Sequence, residues 1–308
     1  MDFYLNTIKD IIISEYGVRF FPKQKKRFRE YIIEEMKKLG WDSNIIKGNI
    51  VIGDVKKADF IFTAHYDTPG KIPAYIRFLF KLFGNTSFLL LTIAMFILYI
   101  VYVSIIAMAI DSYAIGKILI YLPIIFIYFG LFIPNKNNYT DNTSGVLTLL
   151  NLAQEISIKN IDKDKVAFVF FNNEEWGLLG SAEMKKHWKE NKINLSGKRI
   201  INFDCVGNGD TILITHGKND KLAKEIKEKL ETCNRYNVET FRYRILPLSD
   251  DFNFRNNNSA GIIFCKKAKI GTGFYIPDVH SSKDVILDLN NIELLTNVII
   301  ELLSVKHI

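Results

Sequence analysis

Residues 165–181 read KVAFVFFNNEEWGLLGS. Lys165–Phe171 opens this stretch with a run of aromatic and aliphatic residues and no polar alternation, the pattern of a strand buried on both faces of a sheet. Asn172 and Asn173 end the run with turn-forming chemistry. A helical pattern then occupies Leu179–Lys189. Strand, short polar loop and helix make one unit of an α/β fold, and in such folds functional side chains gather just past the C-terminal ends of strands. Glu174 and Glu175 stand at such a place.

Working outward, the same grammar repeats. Lys25–Leu39 reads as an amphipathic helix ended by Gly40. Asn49–Ile52 and Asp59–Thr63 read as strands, Ser144–Ile156 as a helix, and Arg199–Asp204 and Thr211–Thr215 as strands. Asp220–Glu231 is helical, Gly261–Cys265 a strand, and Asn290–Lys306 a closing helix. The alternation predicts an α/β fold with a mostly parallel central sheet flanked by helices. Four more strand ends carry metal-type side chains: His65-Tyr66-Asp67, Asp141-Asn142, Asp204, and His280 in the loop Pro277–Asp284. Each alone has an ordinary reading, as a packed histidine, a helix N-cap or a solvated loop pair. Together they place two of the chain's five histidines beside several carboxylates and no thiolate, a ligand set suited to hydrolytic zinc.

Bulk properties narrow the class further. The chain has 308 residues and a formal net charge of +7. Its basic residues are scattered along solvated faces such as Lys25–Arg29 and Lys221–Lys229, so a nucleic-acid partner is not expected. A surface facing acidic headgroups suits the charge better. Cys205, Cys233 and Cys265 are far apart and form neither a disulfide framework nor a zinc–thiolate pair. The first residues, Met1-Asp2-Phe3-Tyr4, lack the pattern of a secretion signal.

One segment departs from the globular pattern. The 29 positions from 82 to 110 carry no charge, nor do the 18 from 118 to 135. A spanning helix needs roughly 20 apolar residues, and neither run keeps the polar stripe of a core helix. The expectation is a transmembrane hairpin over 73–134, with spans centred on Phe88–Ile110 and Ile118–Ile133. It is inserted between an N-terminal part of the catalytic domain (1–72) and the remainder (135–308). Tyr75–Phe83 suits an interfacial approach. Lys71, Arg77, Lys81 and Lys136 flank the pair against one lysine in the connection, which places the catalytic domain on the cytoplasmic side of a cell membrane.

The ordered motifs His65-x-Asp67, Asp141-Asn142-x-Ser144-Gly145, Glu174-Glu175-x-Gly177-x-x-Gly180-Ser181, Asn202-Phe203-Asp204 and His280-Ser281-x-x-Asp284 resemble the co-catalytic zinc aminopeptidases of peptidase family M28. Their order and approximate spacing match over 40–308 apart from the apolar segment. The resemblance implies a zinc exopeptidase-like fold and two Zn2+ ions, one held by His65 and Asp204, the other by Glu175 and His280, with Asp141 bridging. It implies that Asp67 accepts the second ring N–H of His65, and that Glu174 serves as general base and then general acid. Two zincs about 3.5–4 Å apart lower the pKa of a shared water, and a carboxylate that is not a ligand takes its proton. The sequence departs from the family at two places. Val279 stands where members often carry a tyrosine that helps hold the oxyanion, leaving Tyr275 or Tyr66 as substitutes. Ser249-Asp250-Asp251-Phe252 is similar to the family's Ser-Asp-His substrate segment with Asp251 at the histidine position. Asp250 and Tyr275 are the expected substrate contacts.

The implied activity is aminopeptidase action on peptides near the membrane, with the lipid bilayer as a second partner. The alternatives are another amide hydrolysis on the same scaffold, a glutaminyl cyclase, or a non-catalytic membrane scaffold. Two helices with no buried charge leave nothing to line a transport path. His187 and His307 read as surface residues, His216 as a loop residue, Trp176 as core or pocket wall, and Cys205 as a small buried residue. Since His65 and Asp141 belong to one site on either side of the apolar segment, the chain must cross the bilayer an even number of times. A Ser112→Cys probe should therefore react with an impermeant thiol reagent from outside intact cells, while Ser304→Cys should stay silent; the reverse pattern would overturn the orientation.

Overall fold

The computed structural model describes residues 3–84, 88–109, 115, 119–122, 125, 129–243 and 249–304. The chain opens with helix α1 (Phe3–Tyr16), followed by α2 (Pro22–Lys38). Strands β1 (Ser43–Ile46), β2 (Asn49–Ile52) and β3 (Phe60–His65) precede helices α3 (Ala74–Phe83) and α4 (Phe88–Ala109). The second half runs α5 (Ser144–Ile158), β4 (Val166–Phe171), α6 (Leu179–Glu190), β5 (Arg199–Phe203), β6 (Thr211–His216) and α7 (Lys221–Glu231). It ends with β7 (Asn237–Arg242), β8 (Asn258–Lys267), β9 (Phe274–Tyr275) and α8 (Leu289–Ser304).

The sheet runs in the order β1-β2-β4-β3-β5-β8-β6-β7, with β9 paired to β8. The four central strands β4, β3, β5 and β8 are mutually parallel. The outer ones differ from the mostly parallel expectation: β2 joins β4, and β6 joins β8, antiparallel. The cause on the first side is local. β1 returns as β2 through Lys47 and Gly48, both at positive φ (51 and 86), a two-residue turn that dictates an antiparallel hairpin. The sheet is therefore mixed, with a parallel centre.

All six residues of β3 and all six of β4 are buried, because helices cover both faces. On one face Phe62 and Phe168 pack with α1, α2, α5 and α8 through Leu5, Phe28, Leu147 and Ile299. On the other, Ile61, Val169 and Ile200 meet Met184 and Trp188 of α6 and Phe254. Helix α2 starts at Pro22, earlier than the sequence pattern suggested. Proline suits a first helical position, and the Phe21 amide donates to Gln24 Oε1 at 2.9 Å. Helix α1 was not anticipated, although Leu5, Ile8 and Ile12, which it buries, carry helical spacing.

The ends of the apolar segment meet. Gly70 forms a bridge with Pro134, the Asn135 amide donates to Pro69 O at 2.9 Å, and the Lys71 amide donates to Gly130 O and Ile133 O at 3.0 Å. Helix α3 stays against the body of the molecule: it buries Ile76 and Leu79, and Leu82 O accepts from the Ile270 amide at 2.8 Å. The expected two-span membrane hairpin is not among the described features. Among the described residues no helix is long and apolar enough to cross a membrane. The first expected span coincides with α4, Phe88–Ala109. The second, Ile118–Ile133, falls largely outside the described residues, as does most of the connection between the two. Tyr102 donates to Leu119 O at 2.6 Å, so the chain after α4 folds back on it.

Phe168 lies at the centre of the core, fully buried, with ring centroids of Trp41 and Phe62 at 5.1 and 5.8 Å. Phe168→Ala should destabilise the fold by about 3–5 kcal/mol in chemical denaturation. Ile45→Ala, at a half-exposed edge-strand position, should change it by less than about 0.5 kcal/mol.

Candidate metal centre

Strand register assembles the site. β3 and β4 align so that His65 pairs with Phe171, and the loop carrying Glu174 and Glu175 therefore starts beside the end of β3. On the other side Thr63 pairs with Asn202, which places Asp204, one residue past β5, at the same edge. Asp141 arrives from the irregular turn before α5. Asn142 Nδ2 donates to Phe203 O at 3.0 Å, while Asn142 Oδ1 accepts from the Gly145 and Cys205 amides at 2.9 and 3.2 Å. One amide side chain thus ties the Asp141 turn to the end of β5. The approach admits only glycine at 145, where a Cβ would lie 2.4 Å from Phe203 O. Asp284 completes the support by accepting from the Thr140 and Asp141 amides at 2.8 and 3.1 Å.

The five expected ligands converge. His65 Nε2 lies 3.3 Å from Asp141 Oδ1 and 3.4 Å from Asp204 Oδ1. His280 Nε2 lies 3.2 Å from Asp141 Oδ2 and 3.6 Å from Glu175 Oε2. The two carboxylate oxygens of Asp141 therefore face different imidazoles. His65–Asp141–Asp204 and Asp141–Glu175–His280 each bring one ligand atom per residue within 4.8 Å of one another. Glu174 stands further back, with Oε2 4.0 Å from His65 Nε2, and also falls within reach of His65 and Glu175. The donor set fits metal: Glu175 Oε1 and Asp204 Oδ1 are buried and have no hydrogen-bond partner, as ligand oxygens awaiting a cation would be.

Electrostatics lead to the same place. Burial disfavours the His65 imidazolium, yet Glu174, Asp204 and Asp141 outweigh it and lift its pKa well above the usual histidine range. Burial raises Glu174 and Glu175 well above ordinary carboxylates, with further upward pressure from Asp141 and neighbouring acids. Asp141 is the exception: its hydrogen bonds to His280 and His65 overcome burial and hold its pKa low. This is an excess of negative charge in a dry site, and bound cations reverse it.

Asp67 has a partly different role from the expected one. His65 Nδ1 is closer to the Asp67 carbonyl, at 3.2 Å, than to its carboxylate, at 3.6 Å. The Asp67 carboxylate instead accepts from the Glu174 and Glu175 amides at 3.1 and 3.4 Å. It holds the loop that carries both glutamates. Lys25, which the sequence reading passed over as a solvated helix charge, is buried and donates to Asn173 Oδ1 in the same loop; nothing in its local sequence marks it.

The remaining candidates divide. Asp250 is fully buried and joins the acidic cluster; burial lifts its pKa to about 7. Asp251 is satisfied elsewhere, accepting from Thr215 Oγ1 at 2.7 Å and Tyr243 OH at 2.9 Å. Tyr66 is turned away from the centre: its hydroxyl donates to Gly48 O at 2.8 Å and accepts from Arg29 at 2.9 Å. Tyr275 sits on β9, where Asp210 and Asp278 are the charges that bear on it. Trp176 is not a core residue: it is 43% exposed, with Phe20 and Phe132 at 6.0 and 5.8 Å. Cys205 is buried and its thiol pKa is driven well up by that burial, which excludes a ready nucleophile.

The charge distribution sets a pH dependence. Burial raises Asp250, Asp251 and Asp284 from 3.8 to about 7, so between these values the folded chain binds more protons than the unfolded one. Stability then falls as pH rises through that window. His65, raised above 6.5, acts in the same direction, since its contribution is lost as pH climbs through its folded value. In a chelator, Tm should fall between about pH 5 and about pH 8, and added zinc should remove most of the fall. A melting curve insensitive to both would contradict this charge arrangement.

Comparison with known proteins agrees with this geometry. Residues 132–302 match the model of Peptidase family M28. A probable zinc metalloprotease of Phaeosphaeria nodorum is 40% identical over 68 residues, 22% of this chain and 13% of that protein. The chain thus spans only a small part of that relative's length. Among solved structures, the Legionella pneumophila LapA aminopeptidase is similar with a TM-score of 0.61 at 16% identity, over 98% of this chain and 71% of that one. A Zn-dependent exopeptidase from Parabacteroides distasonis gives 0.62 at 14% identity, over 98% of both chains. Porphyromonas gingivalis glutaminyl cyclase gives 0.62 at 14%, over 97% and 96%. With the family model covering more than half of its length, this chain belongs to the zinc peptidases of family M28.

Proposed function

We propose that the chain is a two-zinc aminopeptidase acting on peptides at a membrane surface. The observation that carries the reading is the sharing of Asp141 between two ligand clusters, one closed by His65 and Asp204, the other by Glu175 and His280. A cyclase would be expected to need a single ion, so a second complete cluster favours hydrolysis. Zinc bound there would polarise the substrate carbonyl and make water a competent nucleophile near neutral pH.

The chain's own residues supply the rest. Glu174 lies beside the ligand Glu175 but further from His65 than Asp141 and Asp204 do. Burial makes its carboxylate hold a proton well above the usual range, which suits a group that takes a proton from water and returns it to the leaving amine. Asp67 fixes the loop on which Glu174 rides. His65 keeps Nε2 free for metal by donating Nδ1–H to the Asp67 carbonyl. Asp250, buried and close enough for its charge to act on Glu174, is the polar group we assign to the substrate side, and Tyr275 on β9 is the second contact we assign there. The aromatic wall of Trp176, Phe20 and Phe132 offers apolar contact at the mouth.

The membrane part of the proposal is supported by α4, whose described face exposes Ile93, Phe96, Ile97, Ile100 and Ile105 with no charge to keep it in water. The Ile72 amide donates to His280 O at 3.0 Å, so the apolar segment leaves the body next to a proposed ligand. The flanking lysines and arginine support a cytoplasmic site.

Metal content of the purified full chain, with turnover of a panel of aminoacyl reporter amides, tests the reading. Two zincs per chain and release from free N-termini are expected; ammonia release from an N-terminal glutaminyl peptide would favour the cyclase. Glu174→Gln should keep the metal and lower kcat by about 100-fold or more, whereas Asp141→Ala should disturb both ions together. Parental turnover in Glu174→Gln would remove the general-base assignment.

A further inference from the structure

Arg19 lies between α1 and α2, outside the family-matched residues 132–302, and its side chain is completely buried. Its partners are neutral. Nε donates to Tyr66 O at 2.6 Å, Nη1 to Tyr16 O at 2.9 Å, and Nη2 to Thr143 Oγ1 at 3.1 Å. Its backbone also pairs with Thr68, the amide donating to Thr68 Oγ1 at 2.9 Å and the carbonyl accepting from the Thr68 amide at 3.3 Å. The Phe28 ring lies under the guanidinium at 4.8 Å.

Two segments are thereby joined. Tyr66 and Thr68 flank Asp67 and follow His65; Thr143 follows Asp141 by two residues and Asn142 by one. These segments are separated in sequence by the whole apolar insertion, yet His65 and Asp141 must stand 3.3 Å apart. A buried cation bonded only to neutral acceptors is costly unless something nearby needs its charge. Asp67, Asp141 and Asp284 are what it faces; they hold it charged against a burial that lowers its pKa to about 10. Because the guanidinium binds carbonyls and a hydroxyl, it leaves the oxygens of Asp141 free to meet metal. The five donors of its planar fork reach three acceptors at fixed angles, which an ammonium cannot do.

We infer that Arg19 is a positioning residue of the metal centre, a buried clamp that holds the His65–Asp67 segment against the Asp141–Thr143 segment and so sets the spacing of both zinc sites. The inference rests on the metal-centre reading above, but zinc competition against a chromogenic chelator reports on it without peptide turnover. Loosening the clamp moves Asp141, which both sites share, so both ions should weaken together. Arg19→Ala should bind zinc about 10–100-fold less tightly while remaining folded by circular dichroism. Millimolar guanidinium should restore part of the affinity, and methylammonium should not. Arg19→Lys should be intermediate. Should Arg19→Ala fail to fold, Thr143→Val, which removes the Nη2 acceptor and keeps the side-chain shape, carries the test with a smaller loss in the same direction. Parental zinc affinity in folded Arg19→Ala, or in Thr143→Val where the alanine variant does not fold, overturns the inference. A parent chain that binds no zinc would instead sink the metal-centre reading itself.

Discussion

The mutual repulsion of Asp141, Glu174, Glu175 and Asp204, gathered with His65 and His280 at one end of the sheet, is the constraint on which this structure depends. Asp141 and Asp204 are each only 4% exposed, so water does little to screen them. Without cations protons relieve the cluster: burial first, and then the neighbouring acids, makes the glutamates hold theirs, while the surrounding carboxylates overcome burial to do the same for His65. With cations the same crowding becomes binding energy. A site of this kind stores its affinity in the backbone that forces like charges together.

That backbone is held by polar side chains that are not themselves ligands. Asn142 joins the turn before α5 to the end of β5, Asp284 grips the Asp141 amide, and Asp67 grips the glutamate loop. Arg19 closes the gap between the first and second halves of the chain. Each is a short-range tie between segments that the parallel centre of the sheet has already brought to one edge. The sheet supplies coarse placement, and these bonds supply the final ångström.

The apolar segment fits the same logic. It leaves and returns through a closed neck, Gly70 against Pro134, so 60-odd residues of a different chemical character interrupt the catalytic sequence without separating His65 from Asp141. It departs beside His280, whose carbonyl accepts from the Ile72 amide, and near its far end Phe132 meets the ring of Trp176.

Much of this was legible in the residues themselves. The strands at 49–52, 165–171 and 199–204 announced themselves because burial on both faces demands unbroken apolar runs, and His65, Glu175 and Asp204 because each ends or follows such a run. α1 went unread although its spacing is helical. The antiparallel outer strands were invisible because strand direction is a property of pairing, not of composition. Asp67 was read only as a partner of the His65 ring, which its carboxylate does face at 3.6 Å, while the folded loop also presents it with two amides. Arg19 and Lys25 look like any surface cation until the chain buries them. By itself, then, the sequence determined which histidines and carboxylates would gather at one end of the sheet and on which elements, because burial and strand-end placement leave a one-dimensional pattern. Only the tertiary structure decided what holds them in register, because hydrogen bonds between segments more than 100 residues apart, such as Arg19 to Thr143, leave no pattern along the chain.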